Sequence, residues 1–130
     1  VFPARRPQCI EAFWEQSFGD WDGLALEDVP DVGPLKGDDL VQFAPPNGES
    51  FADLCDRVQP ALIRLLDAEQ AHSTAVFVHA GVIRACLCLA FDSPSAALRC
   101  EIDPLSVTRL RALPDSQFSV VCVNQAGQDF

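Results

Sequence analysis

The sequence predicts a single α/β domain in which a mostly parallel sheet is flanked by helices. One observation is the apolar run of residues 75–78, which ends at His79 and leads into a helix-like pattern. An unbroken apolar run is typical of a strand covered on both faces, as in a parallel sheet. The other two observations are an amphipathic segment before this run and, after it, two segments in which apolar and polar residues alternate. The 130 residues, 48% of them hydrophobic, are enough for one domain with a buried core.

The amphipathic segment predicts a helix from Ser50 to about Ala68. Ser50 followed by Asp53 is typical of a helix N-terminus, since the serine oxygen can accept a hydrogen bond from a first-turn amide. Pro60 lies inside the segment and predicts a kink, because proline removes one backbone hydrogen bond. The apolar residues recur at spacings of three and four; they are Phe51, Leu54, Val58, Leu62, Leu65 and Leu66.

The remaining elements follow from the same kind of pattern. A helix is predicted from about Val82 to Phe91, and residues 106–113 and 117–124 predict a hairpin joined by Pro114-Asp115-Ser116. Residues 13–47 are broken by prolines and glycines, so they predict a loop with short helical turns. Such a long connection is either a functional lid or binding loop, or a surface excursion without a role.

The charge of the chain limits its partners. A net charge of −10 argues against nucleic acid and against an anionic membrane surface, because both are bound through Lys and Arg. It leaves room for a small phosphorylated substrate in a locally positive pocket. No apolar run approaches the roughly 20 residues that cross a bilayer. The chain shows no signal peptide and has no methionine, so we expect a processed chain or a fragment that begins upstream.

The cysteines predict reduced, mostly buried thiols and hence a cytoplasmic location. None forms a C-x-x-C pair, and several lie in apolar runs where cysteine acts as a small hydrophobe. A disulfide framework and a metal site are the alternatives. The six are Cys9, Cys55, Cys86, Cys88, Cys100 and Cys122.

The chain has two histidines, and His79 has the more informative position. In an open α/β sheet, ligands bind beyond the carboxyl ends of the strands, where helix N-termini offer free amides to anions. His79 therefore indicates a site for an anionic substrate, while a structural histidine that hydrogen bonds to backbone is the alternative. His72 lies in a polar turn and is expected to be solvated.

Two further segments could carry chemistry. Glu15 lies among the aromatic residues of 13–21, and such surroundings remove water from a carboxylate and favour the protonated form that a general acid needs. A surface glutamate beside a packed aromatic cluster is the alternative. The turn at residues 45–50 is either a functional motif or only the entry to the following helix.

These three motifs, in this order, resemble the histidine phosphatase superfamily, which has the phosphoglycerate-mutase-like fold. The family pattern is a glutamate with an aromatic-Gly-x-Trp-acid-Gly run, a Pro-Gly-Gly-Glu-Ser turn, and His-Gly/Ala-Gly-x-Ile-Arg at a strand end. This chain has Glu15 with Phe18-Gly19-Asp20-Trp21-Asp22-Gly23, then Pro46-Asn47-Gly48-Glu49-Ser50, then His79-Ala80-Gly81-Val82-Ile83-Arg84. Residues 105–110 and 121–124 match the closing strands. The resemblance is greatest to alpha-ribazole-phosphatase-like and small broad-specificity phosphatases.

The resemblance implies a metal-free and cofactor-free phosphomonoester hydrolase that works through a phosphohistidine. It implies Glu15 as the proton donor, His79 as the second, phosphate-stabilising histidine, and the Ala80 amide as a substrate-binding donor. The substrate would be a small phosphorylated molecule; phosphatase against mutase activity, and the oligomeric state, stay open.

The nucleophilic histidine of the family lies in an Arg-His-Gly motif, which residues 1–130 do not contain. That motif, with the first strand and helices, is expected before Val1, so the chain is expected to be the C-terminal portion of the domain. A non-catalytic phosphate-binding or regulatory module, and an unrelated α/β domain with coincidental motifs, are the alternatives.

Overall fold

The computed structural model describes residues 7–68 and 73–126, which form a helical layer followed by a β-hairpin. Its helices are α1 (Asp38–Gln42), α2 (Phe51–Ala68), α3 (Ala80–Phe91) and α4 (Pro94–Ala97). Its strands are β1 (Ser106–Ala112) and β2 (Phe118–Ala126). Single 3-10 turns occur at Glu11–Phe13, Gly19–Trp21, Leu26–Asp28 and Pro114–Ser116.

Helix α2 begins where the sequence predicts. Ser50 Oγ accepts a hydrogen bond from the Asp53 amide at 3.1 Å, and the Asp53 carboxylate accepts one from the Ser50 amide at 2.9 Å. This reciprocal arrangement satisfies amides that the first turn of a helix leaves without partners. The Ser50 hydroxyl also donates to the Asp53 carboxylate at 2.7 Å, and this bond, with the one from the Ser50 amide, lowers the pKa of Asp53 below its ordinary value. The helix continues through the exposed Pro60, where the predicted kink stays a prediction.

The core lies between α2 and α3. Leu54 and Val58 of α2 and Val82 and Leu87 of α3 are fully buried. Burying one such side chain stabilises the fold by about 1.5–3 kcal/mol, so these two helices form the stable base of the domain. The predicted apolar face of α2 is confirmed, since its first four members are buried and Leu65 and Leu66 pack partly against the core.

The cysteine thiols are all free, and two of them meet inside this core. Cys55 Sγ of α2 lies 3.7 Å from Cys88 Sγ of α3. Burial raises the pKa of the nearby Cys86 thiol to about 12, so that thiol stays protonated at neutral pH. Cys9, in contrast, is exposed.

The predicted hairpin is confirmed. Strands β1 and β2 pair antiparallel, from Ala112 opposite Phe118 to Ser106 opposite Ala126. The register shifts on either side of Arg109. The 3-10 turn Pro114–Ser116 joins the strands, and the partly buried face of the hairpin packs against the helical core.

The mostly parallel sheet is not confirmed. Within residues 7–68 and 73–126 the sheet has two strands, β1 and β2, and residues 75–78 lie outside it. Their predicted burial is wrong, since Val76 is 40% exposed and Phe77 86% exposed. An apolar run indicates that a segment is suited to burial, but it does not specify which other part of a protein packs against it.

The connection before α2 has the predicted form, a loop that carries short helical turns and the single-turn helix α1. No helix in the part of the chain that the structure describes is long and apolar enough to cross a membrane. The predictions made for the first six residues and for His72 lie outside the described residues.

Candidate active site

Two loops that are distant in sequence interlock at the start of α2. A side chain at Gly19, where φ is +57°, would collide with the backbone of residues 46–48. A Cβ at Gly48 would lie 2.7 Å from the Ser17 carbonyl oxygen, so this close approach also requires glycine. The Asp20 amide donates to the Pro46 carbonyl at 2.9 Å. The two loop motifs therefore form one structural unit.

Two residues of this unit depart modestly from the family pattern: Asn47 stands where the family has glycine, and Asp22 is an aspartate where the acid of the family is glutamate. Asn47 replaces a glycine at φ +58°, a conformation that asparagine tolerates better than most residues. Its side-chain amide donates to both carboxylate oxygens of Asp20, at 3.0 and 3.1 Å. Asp22, in place of glutamate, accepts from the Phe18 amide at 3.3 Å. Asn47 thus joins the two loops, and Asp22 closes the turn of the first loop.

Glu49 connects the loop unit to α2. Its carboxylate accepts from Arg57 Nε at 2.7 Å and from the Ser17 amide at 3.0 Å. The hydrogen bond from Arg57 is the largest cause that lowers the pKa of Glu49 below its ordinary value of 4.5. Sequence reasoning missed Arg57, which is eight residues from Glu49 and in none of the motifs.

Glu15 reaches across to the start of α3. Its Oε2 accepts from the Gly81 amide at 3.2 Å, and its Oε1 accepts from the Gln16 amide at 2.9 Å. A side chain at Gly81 would collide with the Glu15 carboxylate. The glycine of the third motif therefore leaves the space that the glutamate of the first motif occupies.

His79 is the residue that precedes α3. Its carbonyl accepts from the Ile83 amide at 3.1 Å, which starts the helical hydrogen bonding, and the residue is exposed. The amide of Ala80, the first helical residue, has no acceptor in the described part of the chain. Free first-turn amides of this kind attract anions.

The structure thus brings two predicted site segments together. Glu15 contacts Gly81, two residues from His79 and next to Ala80. The aromatic surroundings expected for Glu15 stay a prediction; Trp14 is 64% and Phe18 43% exposed, and the Gln16 and Gly81 amides donate to the carboxylate. Trp21 packs instead against Phe43, with ring centroids 5.8 Å apart.

The described residues hold no group of three or more His, Cys, Asp or Glu side chains arranged for a metal ion. A cleft of about 290 Å³ lies elsewhere, between the segment around α1 and helix α4. Lys36 and Arg99 line this cleft, and neither Glu15 nor His79 does. The residues to which the motifs assign chemistry therefore lie outside this cleft.

A family profile defines the class of protein. The profile of the histidine phosphatase superfamily (branch 1) matches residues 4–126, nearly the whole chain. The chain belongs to this superfamily, as the three motifs predict.

Among particular proteins, a curated relative is the "Bifunctional protein Rv2228c" of Mycobacterium tuberculosis, which is 32% identical over 117 residues. That match covers 87% of this chain and 32% of the relative. A second is the "6-phosphofructo-2-kinase/fructose-2,6-bisphosphatase" of Caenorhabditis elegans, 28% identical over 72% of this chain and 21% of the relative. The chain therefore spans a third or less of these relatives.

A solved structure shares the fold. "Mycobacterial hydrolase 1" superposes with a TM-score of 0.70 at 21% identity, over 88% of this chain and 62% of that one. At this identity the likeness supports the fold of the chain, which the helices and the hairpin also show.

Proposed function

We propose that the full-length protein hydrolyses phosphomonoesters through a phosphohistidine, with Glu15 as proton donor and His79 as the second, phosphate-stabilising histidine. The hydrogen bond from Gly81 to the Glu15 carboxylate supports this most, because it joins the acid to the turn that carries His79. Superfamily membership supports the class of reaction.

Each group has a defined task in this proposal. As the bond between phosphorus and the leaving oxygen breaks, protonated Glu15 donates its proton to that oxygen. The resulting carboxylate then accepts a proton from the water that attacks the phosphohistidine, which restores the acid and releases phosphate. His79 and the Ala80 amide hydrogen bond to the remaining phosphoryl oxygens, whose charge they stabilise throughout.

The mechanism needs a further histidine to attack phosphorus. Residues 1–130 contain only His72 and His79, so we propose that an Arg-His-Gly segment preceding Val1 supplies the nucleophile in the full-length protein. Residues 1–130 would then be the C-terminal portion of a histidine phosphatase domain.

The proposed substrate is a small phosphorylated molecule. A relative whose name includes a fructose-2,6-bisphosphatase supports this class, and the resemblance to alpha-ribazole-phosphatase-like and broad-specificity phosphatases narrows it. The loop of residues 20–46 would provide the selectivity, since it leads directly into the interlocked unit beside Glu15. A cytoplasmic location fits the six free thiols.

Trapping of the phosphoenzyme tests the mechanism. The full-length protein is mixed with a radiolabelled phosphomonoester and denatured in alkali before hydrolysis is complete. We expect protein-bound label that is stable in alkali and released in acid, as for a phosphohistidine, together with free phosphate. Binding of the ester without labelled protein or released phosphate would contradict hydrolysis and favour a phosphate-binding module.

A further inference from the structure

Arg57 uses its whole hydrogen-bonding capacity on Glu49 and on the segment that carries Glu15. A guanidinium has five N–H groups, and here five oxygens accept from it. Two are the carboxylate oxygens of Glu49, at 2.7 and 2.9 Å. The other three are backbone carbonyls of Ala12 and Trp14, both at 2.9 Å, and of Glu15, at 3.0 Å.

The segment that Arg57 binds has little regular structure of its own. It forms one 3-10 turn at Glu11–Phe13 and is irregular from Trp14 to Phe18. Helical or sheet hydrogen bonds therefore do not fix the backbone of Glu15. The contacts from α2 replace them, and α2 is anchored in the core by the buried Leu54 and Val58.

Glu49 orients Arg57 and also holds the other end of the segment. Its carboxylate accepts from the Ser17 amide, its own amide donates to the Ser17 carbonyl at 2.8 Å, and its carbonyl accepts from Gln16 Nε2 at 2.7 Å. Backbone on both sides of Glu15 is therefore tied to one ion pair. The hydrogen bond to Glu49 raises the pKa of Arg57, so the guanidinium stays charged.

The Glu15 side chain also has little room at its carboxylate end. It lies against the Gly81 amide in a space that a single methyl group would fill. A displacement of the Glu15 backbone by about 1 Å would break this contact, and such a displacement can cost about a hundredfold in rate.

We propose that Arg57 is a positioning residue that, oriented by Glu49, holds the backbone of Glu15 so that its carboxylate meets the start of α3 beside His79. The consequence for proton donation rests on the proposed function, whereas the placement of the carboxylate does not. The role requires arginine, since a lysine ammonium has three donors and no planar fork to bind a carboxylate and three carbonyls together.

The placement is tested by NMR on the full-length protein with isotope-labelled glycine. The Gly81 amide resonance is followed while the Glu15 carboxyl is titrated, and the Glu15→Gln variant identifies the part of the shift due to that carboxyl. We expect Arg57→Lys to lose at least about half of this shift, since the carboxylate moves away from the amide. Arg64→Lys, an exposed arginine two turns further along α2, is the matched control and should keep it.

Kinetics measure the consequence. With an alkyl phosphomonoester, which needs a proton donor, kcat of Arg57→Lys should fall about tenfold to a hundredfold while KM changes little. With an activated aryl phosphate the loss should be smaller, and Arg64→Lys should match the wild type with both.

An unchanged Gly81 shift in a folded Arg57→Lys protein would overturn the proposal. If that variant does not fold, Glu49→Gln gives the same test. It keeps the guanidinium of Arg57 but removes the carboxylate that orients it. Equal losses of Glu15→Gln on alkyl and aryl esters would contradict the proton-donor role, and the Gly81 shift would still decide the placement.

Discussion

The lack of a side chain at Gly81 allows the Glu15 carboxylate to reach the start of α3. Gly19 and Gly48 have a similar effect where the two loops interlock. The motifs predict that these glycines belong together, but spacing along the chain cannot show what each one contacts. The aromatic residues next to Glu15 in the sequence predict a carboxylate shielded from water, yet Trp14 and Phe18 are themselves exposed. Neighbours along the chain do not determine which side chains surround one another in the fold.

At this scale we expect His79→Ala to weaken vanadate binding to the full-length protein by about tenfold to a hundredfold, the effect of losing a hydrogen bond to a charged group. Isothermal titration calorimetry measures the affinity. His72→Ala, which removes the other histidine, should bind as the wild type does. Equal affinities for the His79→Ala and wild-type proteins would exclude His79 from the phosphate site.

Among the elements, α2 combines two tasks. Its apolar face packs in the core, and Arg57 in its N-terminal half binds Glu49 and the loop segment of residues 12–15. Periodicity predicts α2, α3 and the hairpin, because each buries one face against the rest of the chain. Periodicity does not predict that residues 75–77 are exposed, since burial of these residues depends on other segments. It also does not reveal the contacts of Arg57, because the carbonyl acceptors at residues 12–15 are more than 40 positions away in the sequence.

The ion pair of Glu49 with Arg57 makes stability depend on pH. Folding lowers the pKa of Glu49, so its contribution is complete above about pH 4.5 and is lost as the pH falls through the lowered value of the folded state. We expect the free energy of unfolding to decrease with acid in this range, by about 1 kcal/mol or less from this pair, because it reaches solvent.

Urea denaturation at a series of acidic pH values measures this dependence. Glu49→Gln should flatten it, and Glu27→Gln, a change at an exposed glutamate outside the site, should leave it as in the wild type. An identical acid dependence in Glu49→Gln and the wild type would show that the pair does not contribute.

For the whole molecule, the order of the three motifs is the most informative property of the sequence. Each motif is common alone, but together they predict a family whose profile matches nearly the whole chain. The structure adds the contacts among the motifs: the first motif interlocks with the second and touches the third, beside helices α2 and α3. A site divided among three segments becomes one only when the chain is folded.

The most direct test of the central claim is the dependence of Glu15→Gln activity on the leaving group, measured in the full-length protein. We expect kcat/KM for an alkyl phosphomonoester to fall by about a hundredfold to ten-thousandfold, because the proton donor is lost. The loss for p-nitrophenyl phosphate should be within about tenfold, since that leaving group departs without a proton. Glu11→Gln, a change at an exposed glutamate in the preceding turn, should behave as the wild type. Equal losses for both esters would contradict the assignment of Glu15 as the acid.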